Sequence, residues 1–88
     1  MSHTSLKRRI RAVLKVRGCL LWANPQGGGI LDLSILTPDG KYLEVDVKVG
    51  ADRLSPLQRH RIVQLTERGV AAGEVRSVAE ALEMAGLD

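Results

Sequence analysis

Leu6, Ile10, Val13 and Leu14 recur at helical spacing through an otherwise polar segment, which predicts a first helix from about Ser5 to Arg17, closed by Gly18. The apolar run Cys19-Leu20-Leu21-Trp22 reads as a short strand, and Asn24-Pro25-Gln26-Gly27-Gly28-Gly29 is a loop by composition. Ile30 to Thr37 predicts a second strand and Pro38-Asp39-Gly40-Lys41 a turn. From Tyr42 to Val49 the alternation is strict, with Leu43, Val45, Val47 and Val49 on one face and Glu44, Asp46 and Lys48 on the other. These two strands and their turn form a hairpin. Ser55 as N-cap and Pro56 at the first helical position open a second helix that ends at Gly69. Val70 to Arg76 reads as another short strand, and Ser77-Val78-Ala79-Glu80 is a capping box opening a last helix through about Ala85. The order α-β-β-β-α-β-α predicts an α/β fold, a mixed central sheet flanked by helices, in one domain over residues 1–88.

Composition adds two constraints. In 88 residues the only aromatics are Trp22 and Tyr42, with no Phe, so Leu, Val, Ile and Ala must supply a core that is marginal at this size. Pairing with a second copy would relieve that shortage. A single cysteine, Cys19, allows no intramolecular disulfide, which points to a reducing compartment. Its apolar neighbours predict a buried, inert thiol rather than a nucleophile. No segment has signal-peptide form or membrane-spanning length, so the expected setting is cytoplasmic, without a membrane.

The net charge of +3 is unevenly spread. Lys7, Arg8, Arg9, Arg11, Lys15 and Arg17 all precede the first acid, Asp32, whereas the last third leans acidic. That asymmetry suits a polyanion met by one face, and equally a solvated helix face; composition does not decide between them.

Side chains two apart on a strand share a face, so Asp46 and Lys48 stand about 6–7 Å apart along the chain. Such a carboxylate coordinates a hard cation, while the adjacent ammonium holds or polarises a water or a phosphate oxygen. Asp32 lies near the start of the preceding strand and, at a strand spacing of about 4.8 Å, could reach the same cation. Two carboxylates, a backbone carbonyl and waters suit Mg²⁺. Singly each residue is ordinary, because alternating charges usually mark the wet face of a strand.

As an ensemble, Gly29-Ile30-Leu31-Asp32, then Val45-Asp46-Val47-Lys48, then Arg53-Leu54-Ser55-Pro56-Leu57-Gln58 resembles the virus-type replication-repair nuclease (VRR-NUC) family of the PD-(D/E)XK superfamily. The resemblance runs from Leu6 to Leu82, and stand-alone phage members are of about this size. It implies a restriction-endonuclease-like fold and Mg²⁺- or Mn²⁺-dependent hydrolysis of DNA phosphodiester bonds. Asp32 and Asp46 would be metal ligands, the carbonyl of Val47 a third ligand, Lys48 the residue positioning the attacking water, and Gln58 its neighbour. Stand-alone relatives look like homodimers able to cut four-way junctions, so a homodimer acting on branched DNA is the expectation.

This chain departs from the family pattern in three places. Leu31 replaces the proline of the first motif, Asp46 stands where Glu is commoner, and the first helix carries Leu6, Lys7 and Arg8 where many relatives have an acid. Glu44 shares the Asp46 face but reads as a solvated side chain. Gln58 has two readings: a capping partner for Ser55, or a site residue on the helix face turned to the sheet. Gly27-Gly28-Gly29 lacks the Lys-Ser/Thr of a nucleotide-binding loop, and is either a connector or bare backbone that a DNA strand can approach. Arg8 and Arg11 on the first helix, with Arg53, Arg59 and Arg61 flanking the site, are phosphate-binding candidates or solvated surface. His3 and His60 lack partners at ligand spacing and receive no role. The rival to a nuclease is a nucleic-acid-binding module that keeps the fold without the chemistry; a structural subunit is a third reading.

Overall fold

A computed structural model describes residues 1–25 and 27–87. Its elements are α1 (His3–Val16), β1 (Leu20–Ala23), β2 (Leu33–Leu36), β3 (Tyr42–Val47), α2 (Pro56–Glu67), β4 (Ala71–Val75) and α3 (Val78–Ala85). The order and the α/β class are those read from the sequence. The sheet runs β1-β2-β3-β4, antiparallel except for the parallel β3–β4 pair. A parallel pair needs a crossover, and α2 supplies it.

Element boundaries moved where capping overrode periodicity. Helix α1 begins before Ser5 because the Ser2 hydroxyl accepts the Ser5 N–H and so serves as N-cap. At α3, Ser77 caps the Glu80 N–H, but the Glu80 carboxylate reaches back to the Arg76 N–H instead of completing the box on Ser77. Strand β2 starts only at Leu33, because Ile30 is tied into the glycine loop by its N–H bond to the Gly27 carbonyl.

Alternation divides the sheet into two unlike faces. One carries Leu33, Ile35, Leu43, Val45, Val47 and Val75, all fully buried beneath Leu6, Ile10 and Leu14 of α1 and Ala81 and Ala85 of α3. Cys19 joins this core, and burial pushes its thiol above the ordinary range, consistent with an inert side chain. The opposite face is polar along its middle and carries α2, which packs on β4. Among the described residues no helix is long and apolar enough to cross a membrane.

Candidate active site

The polar face is organised in rows by strand register. Trp22, Ser34, Glu44 and Ala72 lie opposite one another across the four strands. One step further along, Asn24 abuts Asp32 through its N–H to the Asp32 carbonyl, and Asp46 faces Glu74. Asp32 and Asp46 close the gap between these pairs. The Asp32 N–H donates to Asp46 Oδ1 at 3.1 Å, and the Val47 N–H donates to Asp32 Oδ2 at 2.8 Å. Each carboxylate thus grips backbone beside the other, a reciprocal clamp that holds two like charges together.

Lys48 and Gln58 meet this pair. Lys48 Nζ lies 2.8 Å from Asp46 Oδ2, off the direction of a well-aligned hydrogen bond, so Oδ2 is buried with a charge beside it but no directed donor. Gln58 fills both roles that the sequence left open. Its Oε1 accepts the Ser55 N–H to complete the capping box, while its Nε2 donates to Asp46 Oδ1 at 3.2 Å. The amide has an acceptor and a donor, and each is used once.

Asp46 is 1% exposed and Asp32 8%. Burial pushes the Asp46 carboxyl above its ordinary value and the Asp32 charge adds to the rise, against the pull of Lys48 and the Asp32 N–H. A carboxylate disfavoured in this way gains from a cation at the same place. The orphaned Asp46 Oδ2, with two oxygen-donor side chains clamped side by side, fits a hard divalent ion. Among the described residues no three His, Cys, Asp or Glu side chains converge, so two carboxylates are the acidic ligands on offer.

Two expectations need correction. Glu44 is not solvated: it is 5% exposed, accepts from the Tyr42 hydroxyl at 2.8 Å and pairs with Arg61 at 3.4 Å. The Arg61 side chain stays 42% exposed. The lack of a side chain at Gly29 serves packing, because a Cβ there would lie 2.7 Å from the Leu57 carbonyl oxygen, whereas Gly27 and Gly28 have open space. Gln26 lies outside the described residues.

The expectation that His3 has no role is also overturned. His3 Nε2 sits 3.1 Å from Asp32 Oδ2. The signal was in the sequence: His3 extends the Leu6, Ile10, Leu14 stripe by one turn, so it had to face the sheet. Asn24 was missed for a different reason. Its Nδ2 bonds the Leu31 carbonyl and Ser34 Oγ, bracing the backbone before Asp32 across a loop whose path the sequence does not set. Of the candidate phosphate contacts, Arg8 and Arg11 line a groove of about 570 Å³ with His3, Lys7, Lys15 and Leu21. Arg53 and Arg59 are exposed, Arg53 bonding backbone carbonyls of Ala51 and Asp52.

This mixed sheet, flanked by helices and with its paired carboxylates at the hairpin, defines an α/β fold. A solved structure described as a VRR_NUC domain has the same fold: it is similar with a TM-score of 0.81 and 20% identity, over 96% of this chain and 94% of that one. No family model matches the chain, and no curated protein matches it.

Proposed function

We propose that residues 1–88 form a single VRR-NUC-like nuclease domain of the PD-(D/E)XK superfamily, a metal-dependent DNA endonuclease acting on branched DNA such as four-way junctions. The observation that carries this reading is the Asp32–Asp46 clamp with Lys48 at 2.8 Å, on a fold shared with a VRR_NUC domain. A pure binding module has no reason to hold two buried acids where phosphate must approach, since they repel it and one is costly to ionise.

Asp32, Asp46 and the Val47 carbonyl would hold Mg²⁺ or Mn²⁺. Within a strand the N–H and C=O of one residue point to the same side. The Val47 carbonyl therefore faces Asp32, as its N–H does. When bound, such a cation acidifies a water and offsets charge on the scissile phosphate. Lys48, at 16% side-chain exposure, keeps donors beyond Asp46 to orient the attacking water. Gln58 fixes Asp46, and the cap on Ser55 fixes Gln58. His3 meets Asp32 at Oδ2, the oxygen that also accepts the Val47 N–H.

A homodimer would present two such sites related by two-fold symmetry, able to nick opposing strands of a junction of matching symmetry, with selectivity from DNA shape. The test compares junction, flap and linear duplex in Mg²⁺, in Mn²⁺ and in EDTA, with light scattering at micromolar protein. Paired nicks in the junction, stopped by EDTA, with the mass of two chains are expected. A monomer cutting all three alike would reduce the reading to a general nuclease. Binding without cleavage in any divalent cation would favour the non-catalytic module.

Phosphate contacts are proposed for Arg8 and Arg11 in the α1 groove and for Arg53 and Arg59 beside the site. Helix α1 contains no acid, so nothing in it offsets Lys7, Arg8, Arg9, Arg11 and Lys15. Reversing Arg8 and Arg11 to Glu should weaken binding about equally for unrelated DNA sequences. It should also flatten the plot of log affinity against log salt, by roughly 0.9 for each phosphate of duplex DNA that is no longer neutralised. An unchanged slope would return this face to solvent.

A further inference from the structure

We infer that Trp22 is a stacking platform for an unpaired nucleobase of the bound strand, next to the Asp32–Asp46 site; the inference rests on the nuclease reading for its substrate class. Trp22 lies on β1, the edge strand of the sheet, and is 49% exposed. Its side chain points to the polar face, opposite Leu21, whereas α1 and α3 cover the other face and α2 packs at the far side on β4. No described helix closes over the indole.

Its place in the rows is informative. Trp22 stands opposite Ser34, and Asp32 is two residues along from Ser34 on the same face. Strand spacing and rise then put the Trp22 backbone about 8 Å from that of Asp32 and about 12 Å from that of Asp46. A phosphate at the carboxylates leaves the base of a neighbouring nucleotide within reach of the indole, provided that base is free to turn out of a stack. Between them lie hydrogen-bonding groups: Ser34 Oγ accepts from Asn24 Nδ2 and donates to the Tyr42 oxygen, and Glu44 is held by Tyr42 and Arg61. Toward the site the indole is therefore bordered by polar groups.

Charge decides the occupant. The other flank of the same edge strand is the α1 groove, where Lys7, Arg8, Arg11 and Lys15 meet Leu21. An anionic chain with aromatic faces fits both flanks at once, its phosphates on the groove and a base on Trp22. Stacking is tolerant of sequence because every base has a π-face. In an intact duplex that face is covered by neighbouring base pairs, so the platform selects DNA with an unstacked nucleotide, at a branch or in a single-stranded arm. This gives the preference for branched substrates a physical source apart from site spacing.

Trp22 is the only tryptophan in the chain, so fluorescence excited at the red edge, where Tyr42 does not absorb, reports on it alone. The experiment titrates the full chain in EDTA with a thymine oligonucleotide, a four-way junction and a blunt duplex, following fluorescence together with the anisotropy of labelled DNA. Quenching by the oligonucleotide and the junction, and little by the duplex, is expected. Trp22→Ala should weaken binding of the oligonucleotide by roughly 5- to 100-fold and Trp22→Phe much less, each with unchanged circular dichroism. Binding seen by anisotropy without quenching would overturn the inference. So would fluorescence that tracks protein concentration alone, with a mass that halves in Trp22→Ala, because the indole would then lie between two copies of the chain. Since no metal is present, quenching by a protein that never cleaves DNA refutes the nuclease reading only, and cleavage with an indifferent Trp22 refutes the stacking only.

Discussion

Asp46→Asn should lower cleavage of a four-way junction in Mg²⁺ by about two to three orders of magnitude while leaving DNA affinity equal or higher. The amide keeps the oxygen that accepts from the Asp32 N–H and Gln58, so the clamp survives sterically. What it removes is the negative charge and the Oδ2 that Lys48 faces. Cation-based stabilisation of a transition state is worth several kcal/mol, and each 1.36 kcal/mol is a factor of about ten. Affinity rises or holds because a buried negative charge no longer opposes phosphate. Lys48→Ala should lose activity as well, yet retain Mn²⁺ binding, since both acids remain. Single-turnover cleavage of labelled junction, with Mn²⁺ titration by calorimetry, separates these outcomes. Undiminished cleavage by Asp46→Asn would remove the site assignment altogether.

Gly29→Ala should cost about 2–5 kcal/mol of stability, roughly twice the cost of Gly28→Ala next to it. Both glycines have positive φ, +80° and +63°, and a left-handed backbone with a Cβ costs about 1–2 kcal/mol by itself. At Gly28 the new methyl meets open space, so that strain is the whole effect. At Gly29 it would also press on the Leu57 backbone, at 2.7 Å from the carbonyl oxygen. Backbone of a capped first turn cannot move aside as a flexible side chain does, and such overpacking adds about 1–3 kcal/mol. The midpoint of thermal unfolding should drop by more than about 8 °C for Gly29→Ala. Because Leu57 precedes Gln58, the residual folded protein should also cleave more slowly. Equal midpoints for the two variants would show that Gly29 is not wedged against α2.

Much of this was legible in the chain. Strict alternation from Tyr42 to Val49 placed Asp46 with Glu44 and Lys48 on one face, because a strand has a period of two whatever surrounds it. The hairpin brought Asp32, on the preceding strand, within reach of the same cation, though its register with Asp46 was not set by the pattern. Ser55 and Pro56 marked the start of α2 for equally local reasons, an N-cap oxygen and a preset φ. Less legible was what covers the charged face. Alternation distinguishes two faces but not which is wet, so Glu44 read as solvated until α2 brought Arg61 over it.

Local sequence thus determined the order of elements, the helix caps and the face on which Asp32, Asp46 and Lys48 stand, since these follow from dihedral preferences and side-chain period over a few residues. Tertiary structure alone decided that Gln58 serves Ser55 and Asp46 together, that the sheet-facing His3 takes Asp32, 29 residues away, as its partner, and that Trp22 is left open to water. Those outcomes depend on how α1 and α2 seat on opposite faces of one sheet. Helix seating is set by side-chain shape and by close approaches such as Gly29 against Leu57, contacts between segments that no local pattern encodes.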